Sequence, residues 1–345
     1  MTIQDDPPAA TDPVADFRGV RIRGRWKMLS LIGDGTFGSV YSVHDKKLNC
    51  DVAMKLGHNH IKKTHNLKEE TDVYRRIQNG PGMTKMLWHG TAATYDVLVM
   101  EQLGPCLHEL LNYCGHFSHR TTGMLAVQIF DAIEFLHSKG FIHCDIKPTN
   151  FAMGTGENFH RCFLFDFGLA ARYLDDEDIH REYSEYNQVI GTNAFASVSC
   201  HLGLQLSRRD DIESLAYMFI YFAKGTLPWL AYREQTKTQT HEKVFLKKTG
   251  PQNLEKLCTG LPPAYKHLLV DARELMYTEK PDYKGYKRLF QELWLIQNRE
   301  SGLHYDWMYK REVETLVREM PPPTPKSSPP VFQQTSLNLS IGQPS

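Results

Sequence analysis

Between positions 143 and 150 the chain reads His143-Cys144-Asp145-Ile146-Lys147-Pro148-Thr149-Asn150, and downstream it reads Asp166-Phe167-Gly168. These residue types, in this order, suit the transfer of a phosphoryl group from a metal-bound nucleotide. Such chemistry needs a carboxylate to orient a hydroxyl, a lysine for developing charge, and an amide plus a second carboxylate for magnesium. Asp145, Lys147, Asn150 and Asp166 supply that set.

Three further groups belong with it. Gly33-Asp34-Gly35-Thr36-Phe37-Gly38-Ser39-Val40 matches the pattern GxGxxGxV. Its glycines let backbone amides approach phosphates, and its valine closes over a flat base. A glycine-rich hairpin without ligand or a dinucleotide fingerprint are the alternatives, and the second fails because strand residues, not a helix, follow Gly38. Val52-Ala53-Met54-Lys55 puts a lysine at the end of an apolar strand, where a snorkelling surface lysine is the plain alternative. Glu70 shifts that balance: Leu67, Glu70, Val73, Tyr74 and Ile77 share one helical face, so Glu70 points inward while Glu69 is rotated off. An inward carboxylate and an inward lysine explain one another as an ion pair that aims Lys55 at phosphates.

Asp166 follows the apolar Phe163-Leu164-Phe165, where it would otherwise merely cap a turn. Thr192 after Gly191, in the segment beyond Asp166, reads on residue type alone as a turn residue. Asp211, at the start of an apolar helical pattern, reads as a dipole partner or as a pin for the backbone near His143.

The elements that must position these groups are legible in outline. Residues 26–32, 38–44, 51–56 and 95–100 read as strands, rich in β-branched and apolar residues between glycine or Asn-Cys-Asp breaks. One helix interrupts them. After Gly104-Pro105 the pattern turns helical, with Leu125, Ile129, Ala132, Ile133 and Leu136 on one face and Gly140 closing the helix. Residues 211–223 are apolar on nearly every side, which marks a helix buried inside a lobe.

Composition narrows the class. A length of 345 residues with 41% hydrophobic content is ample for a core, and 40 basic side chains cancel 40 acidic ones. No global field recruits nucleic acid or a membrane, and neither is an expected partner. The 7 cysteines are scattered and odd in number, with no CxxC pair. That argues against a disulfide framework or zinc site and for a reducing compartment. No leader-like or membrane-spanning apolar run is present, so a soluble intracellular protein is expected. Residues 1–24 and 313–345, the latter carrying Pro321-Pro322-Pro323 and Pro329-Pro330, read as solvated tails around a domain at 25–312. The boundary between its lobes is expected at 103/104. The proline-rich tail has the composition of an SH3-type or WW-type ligand, with a plain solvated extension as the alternative.

Over roughly 25–310 the chain resembles the casein kinase 1 superfamily of protein kinases, including its tau-tubulin kinase branch. The resemblance rests on Leu103-Gly104-Pro105, Asp145-Ile146-Lys147-Pro148, Asn150-Phe151-Ala152-Met153-Gly154, Ser207-Arg208-Arg209-Asp210-Asp211, Leu227-Pro228-Trp229 and Lys280-Pro281-Asp282-Tyr283. Ala196-Ser197-Val198-Ser199 stands where most kinases carry Ala-Pro-Glu, a mark of the superfamily. The resemblance implies an α+β, two-lobed kinase fold, with a small antiparallel sheet plus one helix and a larger, mainly helical lobe. It implies ATP and magnesium in the cleft: Ile32, Gly33, Gly35, Gly38, Val40 and Ala53 above, Met100 as gatekeeper, Glu101 and Leu103 in the hinge. The floor would be Ala152, small enough for Phe165 to fill part of the space. Lys147 two residues after Asp145, with Thr192, goes in this family with serine or threonine acceptors.

Three departures from the family pattern stand out. Cys144 replaces the arginine that usually precedes the catalytic aspartate, so control by activation-loop phosphorylation is not expected. Ala194 and Thr240 stand where the family's anion pocket carries Arg and Lys, so a preference for primed substrates is not expected, though Arg233 and Lys237 remain nearby for an acidic one. Cys144 beside the catalytic carboxylate also raises a redox-switch reading. The expected protein is a monomeric, cytoplasmic or nuclear serine/threonine protein kinase, with a pseudokinase scaffold as the alternative.

Overall fold

In the N-terminal strands, successive side chains point to opposite sides, and the sequence alternates to match. The computed structural model describes residues 19–35, 38–58, 67–185, 189–232, 237–250, 252–296 and 304–308. Strands β1 (Arg21–Ile22), β2 (Trp26–Gly35), β3 (Gly38–Asp45) and β4 (Cys50–His58) precede helix α1 (Leu67–Ile77), and β5 (Met86–Ala92) and β6 (Tyr95–Glu101) follow it. They form one antiparallel sheet in the order β1-β2-β3-β4-β6-β5. Val52, Met54 and Leu56 join Trp26, Met28, Val43, Val97 and Val99 in a core on one face of it. Ala53, Leu98 and Met100 belong to the other core, with Leu67, Val73, Tyr74 and Ile77 of α1. Lys55, two residues from Ala53, is on that same face.

The strands expected at 26–32, 38–44, 51–56 and 95–100 all form and run one to three residues longer. Two differences are informative. Residues 19–24, assigned by composition to the tail, hold β1, whose Ile22 is 1% exposed and whose register pairs Arg21 with Lys27. Strand β5 was not anticipated, because His89 and Gly90 interrupt its apolar pattern.

The second lobe is mainly helical: α2 (Leu107–Cys114), α3 (His119–Ser138), the short strands β7 (Phe141–Ile142), β8 (Phe151–Met153), β9 (Cys162–Leu164) and β10 (Ala171–Arg172), then α4 (Val198–His201), α5 (Arg208–Lys224), α6 (Lys237–Thr249), α7 (Asn253–Cys258), α8 (Pro263–Glu274) and α9 (Tyr283–Ile296). Helix α3 ends at Gly140 as expected, with φ +81° and its amide on the His137 carbonyl at 3.0 Å. Helix α5 starts at Arg208, one turn before the apolar run, with Asp210 accepting from the Ser207 amide at 2.7 Å. Its residues 210–222 are all buried, which is why its sequence lacks a polar face.

Backbone bonds hold the lobes together. The Gly104 amide donates to the Met153 carbonyl at 2.8 Å and the Met153 amide to the Pro105 carbonyl at 3.1 Å, fastening the connecting segment to β8. Among the described residues no helix is long and apolar enough to cross a membrane. The seven cysteines are thiols. Residues 1–18 and 309–345, with the proline-rich segment, lie outside the described residues, as does Arg233; Lys237 is described only as backbone.

Candidate active site

The segment between β7 and β8 is short, polar and buried, so its backbone needs partners from elsewhere. Asp211 of α5 supplies them: its carboxylate accepts from the His143 amide at 2.7 Å and the Cys144 amide at 3.0 Å. It also accepts from His137 Nε2 at 2.8 Å, while His137 Nδ1 takes the Tyr283 hydroxyl at 2.7 Å. Burial would push the Asp211 carboxyl up, but the His137 hydrogen bond and charge outweigh burial and hold it below the usual range. The clamp maintains Cys144 at φ +64°, a left-handed conformation that a non-glycine residue adopts only under tertiary constraint.

That bend presents Asp145, 4% exposed, to three side chains. Lys147 Nζ donates to Oδ2 at 2.6 Å, Thr192 Oγ1 to Oδ1 at 2.7 Å, and Asn150 Nδ2 to the Asp145 carbonyl at 2.9 Å. Thr192 can come this close because Gly191 precedes it. Gly191 has φ +86°, and a Cβ there would sit 2.4 Å from the Cys144 carbonyl oxygen.

A second cluster lies at the lobe boundary. Lys55 of β4 is 5% exposed and donates to Glu70 Oε2 at 2.7 Å and to Asp166 Oδ1 at 2.8 Å. Glu70, 2% exposed, sits on the inward face of α1 and Glu69 is exposed, as the 3.6-residue spacing requires. Burial opposes the charge on Lys55, but the Asp166 and Glu70 carboxylates outweigh it and raise its pKa. Burial alone would raise Asp166; the charges of Lys55 and Lys147 hold it at about 2 instead, so it is ionised at neutral pH. Lys147's influence on Asp166 couples the two clusters.

Asp166 also has a left-handed backbone, φ +63°. Phe167 beside it is 1% exposed, meets Tyr74 of α1 edge-on at 4.9 Å and packs at a tilt on His143 at 5.5 Å. A continuous column therefore runs from α1 through Phe167 to the Asp211 clamp. Tyr74 and His137 were not legible as partners in these contacts, since each meets its neighbour across the fold.

Above the clusters, Gly33 pairs with Val40 and Gly35 with Gly38 at the end of the β2–β3 hairpin. Gly38 has φ +135°, and a Cβ there would lie 2.2 Å from the Leu56 carbonyl oxygen. Thr36 and Phe37 lie outside the described residues. Ile32 and Val40 pack on the main core, and Ala53 pairs with Met100. Glu101 accepts from the Lys85 amide at 2.7 Å, Leu103 is half-buried, and Ala152 in β8 is 2% exposed. The sequence candidates thus fall into one wall, one hinge and two ionic clusters.

The donor set suits a hard cation that shares its shell with phosphate oxygens. Asp166 offers an ionised carboxylate, and Asn150, whose amide nitrogen is spent on the loop, offers its carbonyl oxygen. Among the described residues no group of three or more His, Cys, Asp and Glu side chains could hold a metal unaided.

Cys144 does not fit a redox switch. Burial, with Asp211 beside it, pushes its thiol well above the ordinary range, so the oxidisable thiolate is suppressed.

The chain beyond Thr192 is held by long-range contacts that the sequence did not reveal. Val198 donates its amide to Glu213 Oε2 at 3.1 Å, and Arg273 Nε bonds Glu213 Oε1 at 3.1 Å. Glu213 of α5 thus ties the 196–199 segment to Arg273 of α8. Ser197 Oγ donates to Asp210 at 2.6 Å. Across 26–281 the chain matches the family model of the protein kinase domain.

Proposed function

Because this chain belongs to the protein kinase family, whose domain spans 26–281 of it, we propose that it transfers the γ-phosphoryl group of ATP to serine and threonine hydroxyls of proteins, in the manner of casein kinase 1. The arrangement that carries the reading is the triply held Asp145. Lys147 and Thr192 occupy opposite carboxylate oxygens and Asn150 braces the loop, so Asp145 is fixed where it can orient an incoming hydroxyl and accept its proton. Lys147 stabilises charge on the transferring group. Lys55, aimed by Glu70, orients the nucleotide phosphates beneath the 33–38 hairpin, with Ile32, Val40, Ala53, Met100, Glu101, Leu103 and Ala152 around the base. Asn150 and Asp166 would hold magnesium, which when bound neutralises phosphate charge.

The alternative, a pseudokinase scaffold, is disfavoured by the ionised state of Asp166 and by Lys55 standing between both carboxylates. Lys147 and Thr192 flanking Asp145 support a serine/threonine preference, since in the family it resembles this arrangement goes with short acceptors. Ala194, 8% exposed and lacking any cation of its own, supports unprimed substrates. Cys144 in place of an arginine supports activity without activation-loop phosphorylation.

An unbiased peptide-library phosphorylation profile with magnesium and ATP tests residue class, priming and turnover together. Transfer to Ser/Thr peptides without a required phosphorylated neighbour is expected. Absence of transfer, or a strict need for priming, would count against the reading.

A further inference from the structure

Lys248, at the C-terminal end of α6, is 1% exposed, and the chemistry above makes no use of it. A buried ammonium ordinarily has a carboxylate partner. This one instead donates to two main-chain carbonyls, Ala196 O at 2.6 Å and Asn193 O at 3.0 Å, and its third contact is His201 Nε2 at 3.1 Å. The rings of Tyr217 and Trp229, centred 4.7 and 5.2 Å from Nζ, face its head group. Glu213, the acid whose charge acts on it, is already engaged by Arg273 and Tyr217.

What Lys248 holds is the turn that bears Thr192. The Phe195 and Ala196 amides both donate to the Thr192 carbonyl, at 2.9 and 3.0 Å. The carbonyls between them face away, where Lys248 takes those of 193 and 196 and Trp229 Nε1 takes that of Ala194 at 2.8 Å. The turn is therefore gripped from behind by α6 and by the chain after α5, while its front carries the hydroxyl bonded to Asp145 at 2.7 Å. Carbonyls in an irregular segment have no ladder partners, so side-chain donors decide where such a segment sits.

We infer that Lys248 is a positioning residue for the protein substrate: by fixing the 192–196 turn it shapes the surface that receives the acceptor chain next to Asp145. The inference rests on the protein-directed kinase reading. It needs no contact between Lys248 and substrate, because the lysine acts through the backbone it holds.

Lys248→Met tests it, since methionine keeps the volume and apolar stem but removes the donors. Removing a buried amine that is costly to desolvate offsets part of the cost of two orphaned carbonyls, so the folded state is retained with Tm at pH 7 within about 3 °C of wild type. Loss of the turn's anchor raises both the KM for dephosphorylated casein and its Kd, measured with fluorescent casein and a non-hydrolysable ATP analogue, by about tenfold. The KM for ATP stays within about twofold. Unchanged casein KM and Kd would overturn the inference, as would parallel losses in ATP affinity and Tm, which mark a merely structural lysine. Should the methionine variant not fold, Lys248→Gln, which keeps a shorter donor, decides by the same readouts. The Kd arm requires no turnover, so failure of wild-type transfer would refute the kinase reading while Lys248 is still judged by binding.

Discussion

Replacing Thr192 with valine removes one hydroxyl and little else. In the folded protein that hydroxyl donates to Asp145 Oδ1 at 2.7 Å, and the two residues are 3% and 4% exposed, so no solvent substitutes for it. Hydrogen bonds to a buried charged acceptor contribute about 1.5–3 kcal/mol. If that energy keeps Asp145 in its productive orientation, its loss lowers kcat by about ten- to a hundredfold. Lys147 stays on Oδ2, and the Lys55–Glu70–Asp166 cluster shares no atom with Thr192, so the KM for ATP is expected to stay near wild type. Steady-state transfer of radiolabel from ATP to casein measures both constants, with Tm as the control for folding. Thr192→Ser, which keeps the donor, restores most of the rate. A valine variant with wild-type kcat and unaltered Tm would refute the claim that Thr192 positions the catalytic carboxylate.

Three other outcomes follow from the same geometry. Asp211→Ala orphans the His143 and Cys144 amides and frees the left-handed backbone at Cys144, so unfolding by denaturant should show a loss of about 3 kcal/mol or more, and a loss below about 1 kcal/mol would contradict the clamp. Gly38→Ala forces a Cβ onto the Leu56 carbonyl at a φ of +135°, so the hairpin must shift and the KM for ATP should rise severalfold while Tm moves little; an unchanged KM would count against the hairpin as phosphate cover. Lys248 has its pKa pushed down to about 7, by burial first and by Arg273, against the pull of Glu213 and Cys200 and with His201, His241 and Tyr217 around it. The unfolded chain holds that proton up to the ordinary lysine value and the folded chain does not. Stability should therefore climb as pH rises from about 7 toward 10 in wild type relative to Lys248→Met, read as the difference in Tm between the two. A difference flat in pH would refute the lowered pKa of the buried lysine.

The parts of this account that were legible in sequence are those set by local rules. Alternation placed four strands, helical spacing turned Glu70 inward and Glu69 outward, and the order of Asp145, Lys147, Asn150 and Asp166 announced their chemistry. Missing were features whose cause lies elsewhere in the chain. Strand β1 is only two residues long and exists because Val20 and Met28 bond across a glycine-bearing turn. Strand β5 takes its conformation from pairing with β6, despite Gly90. Helix α5 begins at Arg208 because Asp210 caps Ser207, a polar signal ahead of the apolar run. The Glu213–Arg273 bridge and the Lys248 carbonyl contacts join residues separated by 60 and by 52 to 55 positions, where no spacing rule applies. Thr192, open between a turn residue and a mark of serine or threonine acceptors, turns out to bond Asp145, a contact that residue type alone does not reveal.

The most direct test of the central claim is radiolabel transfer from ATP to casein by wild type and by Asp145→Asn, alongside nucleotide binding by both. Wild type should transfer, and the asparagine variant should bind ATP as tightly yet lose transfer by at least about a hundredfold. Equal transfer by the two proteins, or none by wild type, would contradict a phosphotransferase centred on Asp145.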